Sequence, residues 1–273
     1  MIRFGTAGFP LSTPKNGGAI EALSRVRSLG LDGMELEFVR GVWLNPEKGK
    51  AIAAASTGLF LSAHAPYYVN LNSPDPAVVG ASQKRIVAAA AAAASAGAIA
   101  VVFHPGFFMK TPGKEALSAV TDRLKELHAV LTEQGICINL APETTGKPSQ
   151  IGSLDEILSL CLLVPGCRPC IDFSHLFARS NGQFNSKEDF SSALDKIAFS
   201  LGAEALTRLH MHVSGIDYTA KGEKKHILLS ETKFNWQGLL AVLKERNCSG
   251  TLICESPNLE EDALRLKDYY HSL

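Results

Sequence analysis

The chain has 273 residues, 46% of them hydrophobic and 20% charged, and its 27 Lys+Arg balance its 27 Asp+Glu to a formal net charge of zero. That balance excludes intrinsic disorder, a basic nucleic-acid arm and an acidic solvating tail, while leaving room for a local basic patch. The length is ample for a large hydrophobic core.

Short apolar or β-branched runs alternate with longer helix-patterned ones. Strands are expected at Ile2–Gly5, Gly33–Leu36, Phe60–His64, Ala100–His104, Cys137–Glu143, Arg168–Asp172, Leu209–Ser214 and Gly250–Glu255. Helices are expected near 17–29, 46–57, 77–96, 113–134, 154–163, 187–201, 235–246 and 258–270. Asn45 before Pro46, the capping box opened by Ser153 and Asn235 before Trp236 mark helix starts. Gly30, Gly97, Gly135 and Gly202 mark stops. Eight strand–helix units of roughly 34 residues imply a parallel sheet with right-handed crossovers, hence an α/β fold with a single (β/α)8 TIM barrel spanning 1–273. A doubly wound sheet fits less well, because no GxGxxG follows the first strand.

Ile86–Phe103 carries no charge over a length at which a membrane span becomes thinkable. It parses better as an Ala-rich helix stopped at Gly97 and followed by a buried strand, so no membrane association is expected. The six cysteines (137, 161, 167, 170, 248 and 254) are too sparse for a disulfide scaffold, and Cys167/Cys170 form a lone CxxC. Buried thiols in a reducing compartment follow, and the opening IRFGTAGF has no signal-peptide core, so a cytoplasmic location is expected.

Chemistry-bearing residues stand at the C-terminal ends of the later strands. Strand three ends at His64 and strand four at His104. Strand five ends at Glu143, strand six at Asp172 with His175 just beyond, strand seven holds His212 and strand eight ends at Glu255. In a barrel these positions converge on the rim where active sites are built. Their predecessors (Ala63, Phe103, Pro142, Ile171, Met211 and Cys254) are uncharged, as a helix-packed outer face requires. His210 is expected one layer deeper than His212. Three carboxylates crowded together repel unless protonated or neutralised by cations. Imidazoles and carboxylates without cysteine suit Zn2+, with Mn2+ or Fe2+ as alternatives, and seven or eight ligands exceed one tetrahedral ion. Two or three ions bridged by a carboxylate would suit phosphate hydrolysis, whereas one ion would suit polarising a sugar carbonyl.

At these residues the sequence resembles the endonuclease IV family of metal-dependent apurinic/apyrimidinic endonucleases, within the xylose-isomerase-like barrels. The resemblance runs through AHAPYYVNLNS (63–73), FHPGF (103–107), PETTGKPSQIGSLDEI (142–157), CIDFSH (170–175), HMHVSGIDY (210–218), GEKKH (222–226) and CESPNLEEDAL (254–264). It implies a trinuclear zinc centre and hydrolysis of the DNA backbone 5′ to an abasic site, in base excision repair. Carried over, His64 and His104 would hold one ion, and Glu143 would bridge it to a second held by Asp172, His212 and Glu255. His175 and His226 would hold a third. The family's carboxylate two residues before that last histidine is here Lys224, with Glu223 one position off. Glu143, and after it Glu255, would orient or deprotonate the nucleophile. Tyr67 and Arg40 lie where the family inserts side chains into the duplex. Lys110, Lys147, Arg179, Lys221, Lys224 and Lys225 are candidate phosphate contacts. The expected partner is double-stranded DNA containing abasic sites, with no obligatory protein partner. The alternative is a mononuclear-metal sugar isomerase or epimerase using Glu143, Asp172, His212 and Glu255. A module that binds damaged DNA without cleaving it is a third reading.

Overall fold

The computed structural model describes residues 1–273. Eight strands form one parallel sheet: β1 (Ile2–Ala7), β2 (Gly33–Glu37), β3 (Phe60–His64), β4 (Ala100–Phe103), β6 (Asn139–Pro142), β8 (Cys170–Asp172), β9 (Leu209–Val213) and β12 (Gly250–Cys254). Their spatial order, β6-β4-β3-β2-β1-β12-β9-β8, follows the chain around the sheet. The two end strands meet through parallel bridges at Leu140–Cys167 and Glu143–Cys170, which brings the sheet round into the expected barrel.

Helices α1 (Ala19–Ser28), α2 (Pro46–Ala55), α3 (Pro76–Ser95), α4 (Gly113–Glu133), α5 (Leu154–Leu163), α7 (Lys187–Leu201), α8 (Trp236–Glu245) and α9 (Glu260–Ser272) match the helices expected from the sequence to within a few residues. Asn45, Ser153 and Asn235 each accept a hydrogen bond from a first-turn N–H, so the start signals act as caps. The Ala-rich run divides as expected. α3 ends before Gly97, whose φ of 74° turns the chain into β4. Its small side chains let it lie close to α2, where a Cβ on Gly49 would overlap Ser95 Oγ. No helix is long and apolar enough to cross a membrane.

Three features were not legible at the sequence level. The short α6 (Phe173–Arg179) starts directly at Asp172, whose carboxylate accepts the His175 N–H at 2.7 Å. β5 (Gly106–Phe107) pairs with β7 (Gln150–Ile151) above the rim. β10 (Gly215–Thr219) and β11 (Gly222–Ile227) form a hairpin after β9. All three stand over the C-terminal mouth of the barrel.

Close strand contact requires glycine at position 33, where a Cβ would overlap the Phe60 carbonyl of β3 and ring atoms of the same residue. Gly33→Ala should therefore destabilise the barrel by about 1–3 kcal/mol, read as a lowered urea midpoint at unchanged m-value.

Candidate metal centre

The expected ligand residues converge. His64 ends β3, His104 follows β4, Glu143 follows β6, Asp172 ends β8, His212 lies in β9 and Glu255 follows β12, while His175 and His226 reach in from α6 and β11. They form three groups, each with candidate ligand atoms within 4.8 Å of one another: His64/His104/Glu143, Glu143/Asp172/His212/Glu255 and His175/Glu223/His226. Glu143 belongs to two of them. Its Oε2 lies 3.2 Å from His64 Nε2 and 3.1 Å from His104 Nε2, while its Oε1 lies 3.2 Å from His175 Nδ1 and 3.4 Å from His212 Nδ1.

Hydrogen bonding leaves the second group incomplete. Glu143 Oε1, Asp172 Oδ2, His212 Nδ1 and Glu255 Oε2 are all buried without a hydrogen-bond partner. Orphaned buried polar atoms cost about 1–3 kcal/mol each, more when charged. These four residues offer ligand atoms within 4.8 Å of one another, an arrangement that a divalent cation would satisfy, and the nitrogen–oxygen donor set fits zinc, manganese or iron.

The imidazoles are held from behind. His64 Nδ1 lies 2.8 Å from the Ala65 carbonyl, His175 Nδ1 2.9 Å from the Thr144 carbonyl and His226 Nδ1 3.2 Å from the Glu255 carbonyl. A carbonyl only accepts, so each Nδ1 carries a proton and each Nε2 is the nitrogen turned toward the centre. Thr144 also joins β6 to β8: its Oγ1 accepts the Asp172 N–H at 2.8 Å and donates to the Asp172 carbonyl at 3.0 Å.

The third group resolves the mismatch at Lys224. In the β10–β11 hairpin Asp217 pairs with Lys225 but Tyr218 pairs with Glu223, so Lys224 is the extra residue of a bulge. Its ammonium turns away to Asp217 at 3.0 Å. The shift aims Glu223 inward, with Oε2 3.6 Å from His175 Nε2, and its backbone is fixed by a 2.9 Å bond to the Gly146 carbonyl. The bulge thus turns Glu223, and not Lys224, toward His175 and His226.

A family model described as "Xylose isomerase-like TIM barrel" matches residues 23–270. The chain belongs to that family. It is 40% identical over 273 residues to an uncharacterized protein of Methanocaldococcus jannaschii, covering 100% of this chain and 98% of the relative. It is 27% identical over 261 residues to a probable endonuclease 4 of Symbiobacterium thermophilum, covering 89% and 91%. Among solved structures, endonuclease IV from Thermus thermophilus superposes with a TM-score of 0.75 at 23% identity over 98% of this chain and 100% of that one. A D-tagatose 3-epimerase-like protein gives 0.70 at 17% identity over 99% and 96%. At these identities the two superpositions establish the shared fold.

In this member of the xylose isomerase-like family two inward acids stand outside the residues expected from the sequence, which began at strand three. Glu35 and Glu37 sit two residues apart on β2, the period that puts both on the inner face, and that alternation was the available signal. Glu37 pairs in register with His64. Desolvation pushes the Glu37 carboxyl up to about 8 against the pull of His64, with Glu35 and Glu255 adding to the rise. Burial opposes the charge of Glu35, yet His212 and His210 outweigh it and hold that carboxyl well below the ordinary range.

Tyr67 stands at the mouth, 56% exposed, with its ring centroid 5.5 Å from that of His64. Arg40 is exposed in the loop after β2 and makes no hydrogen bond or ion pair with the centre. Arg179 is corrected from a phosphate contact to a clamp. Its guanidinium donates to the carbonyls of Lys147 at 2.7 Å and Gln150 at 3.1 Å, holding the loop after β6. The six cysteines are unpaired; burial pushes the Cys167 thiol up to about 12, and Cys170 lies beside His210 and His212 below the rim. A cavity of about 1120 Å³ opens at the opposite end of the barrel beside Arg3, Arg168 and Arg208, where no carboxylate lines it.

Without a cation the centre holds protons. Burial, reinforced by Glu255 and Glu143 against His175, pushes Asp172 up to about 8. Burial opposes the charge of His64, but its hydrogen bond to Glu143 and the nearby Glu37 lift it to about 10. A binding cation must displace these protons, so its apparent affinity should rise from pH 6 to pH 8, with proton release in calorimetry at each step. Glu223→Ala should lower the count of divalent metal per chain by one, and Lys224→Ala should leave it unchanged, both read by elemental analysis after gel filtration.

Proposed function

We propose that this chain is a metal-dependent phosphodiesterase acting on DNA, of the endonuclease IV type, cutting the backbone 5′ to abasic sites in base excision repair. Zinc is the expected ion, two or three per chain, with manganese or iron compatible. The observation that carries the reading is the surplus of ligands: His64/His104 and His175/Glu223/His226 stand beside a four-residue group that would by itself satisfy one ion. The probable endonuclease 4 relatives support it.

Bound divalent ions would supply Lewis acidity and offset the charge that develops on phosphate oxygens. The chain's own groups do the rest. Glu143, 1% exposed, keeps the two halves of the centre in register through its separate oxygens. Glu143, and after it Glu255, the more open of the two carboxylates, would orient or deprotonate the attacking water. Burial and the surrounding acids raise the Tyr67 phenol, so it stays neutral at the mouth and can pack against an extruded sugar. Extrusion is cheap where no base has to unpair. Lys110, after β5, and Lys221 and Lys225, in the β10–β11 hairpin, are exposed and suit backbone phosphates, making binding salt-dependent.

A second reading rests on Glu37. This carboxylate, the register partner of His64 with a buried and unpartnered Oε1, stands beside the centre where a mononuclear isomerase or epimerase needs a group to move a proton at a sugar carbon. A metal count near one per chain, with turnover of a ketose, would favour it.

The purified protein should nick a duplex bearing one tetrahydrofuran site, lose that activity on strong chelation, and fall by roughly 1000-fold on Glu143→Ala. Intact duplex after incubation with Zn2+, Mn2+ and Co2+ in turn would reject the nuclease.

A further inference from the structure

His212 differs from the other oriented imidazoles of the centre. His64, His175 and His226 lean on backbone carbonyls, which no substitution removes. His212 instead has its Nε2 3.1 Å from Glu35 Oε1, an ion-pair contact between two buried atoms that have no hydrogen-bond partner. Its Nδ1 faces Glu143 Oε1 at 3.4 Å and Glu255 Oε1 at 3.3 Å.

Glu35 is itself fixed from several strands. Its Oε2 accepts the Ser62 hydroxyl at 2.6 Å and meets His210 Nε2 at 3.3 Å, while His210 Nδ1 lies 2.7 Å from Thr251 Oγ1. Glu35 and Ser62 are register partners on β2 and β3, as are Thr251 and His210 on β12 and β9. Four strands therefore supply one buried polar layer beneath the ligand layer, and the carboxylate at its centre has little freedom to move.

We propose that Glu35 is the positioning residue that holds His212 in its Nε2–H form, presenting the Nδ1 lone pair to the cation among Glu143, Asp172 and Glu255. A neutral imidazole has one donor and one acceptor nitrogen, and an ionised carboxylate only accepts, so the Glu35 contact decides which nitrogen is left for the metal. The carboxylate also raises the basicity of the ring it holds. The proposal rests on the metal-centre reading and on no particular substrate.

The test is zinc affinity and ring protonation. In competition with a chromophoric chelator, Glu35→Ala should weaken one zinc per chain by about 10–100-fold while leaving the other ions unchanged. Glu35→Gln, whose amide oxygen still accepts the Nε2–H, should restore most of that loss. In the zinc-loaded, 15N-labelled wild type, long-range imidazole correlation spectra should show His212 protonated at Nε2. Wild-type zinc affinity in Glu35→Ala, no recovery in Glu35→Gln, or a proton on Nδ1 of His212 would each overturn the proposal. Should Glu35→Ala fail to fold, the wild-type spectrum decides alone. Absence of DNA cleavage would reject the nuclease and leave these readouts untouched.

Discussion

The constraint that organises this molecule is the confinement of like charges. Glu35, Glu143, Asp172 and Glu255 all lie within a few side chains of one another at the barrel mouth, where water is largely excluded. Carboxylates so placed cannot all ionise unless positive charge is interleaved with them. The chain interleaves imidazoles: six of its eight histidines stand in or just below the mouth. The arrangement is stable only as a set, with Glu143 as its hinge because each of its oxygens serves a different group of rings.

Strand register builds this set in layers. β2 pairs with β3 so that Glu35 meets Ser62 and Glu37 meets His64, while β12 pairs with β9 so that Thr251 meets His210 and Ile253 meets His212. A one-residue slip in either pairing would turn a ligand onto the helix-packed face. Backbone closeness at Gly33 and the Thr144 link between β6 and β8 therefore serve the chemistry as directly as the ligands do.

Much of this was readable beforehand because the fold repeats one unit. Strand–helix alternation and the caps at Asn45, Ser153 and Asn235 are local signals, and they translate into the barrel without long-range information. The convergence of His64, Asp172 and Glu255 follows from placing strand ends on a common rim. Glu35 and Glu37 were legible only through period-two alternation on a strand whose end carries no histidine. The partner of Glu35 comes from a residue 175 positions later in the chain, which no local pattern encodes. Arg179 looked like a phosphate ligand because a cation in a rim loop is chemically ambiguous, and only burial against carbonyls settles its role.

The bulge at Lys224 has a consequence for how relatives of this chain are recognised. An extra residue in one arm of a two-stranded ribbon rotates every following side chain by half a turn, so a carboxylate can trade places with its sequence neighbour while its position in space is kept. A search written as fixed letters at fixed intervals would score such a chain as defective. Homologues that drift by one residue in this ribbon should be judged by the parity of the arm they lie on.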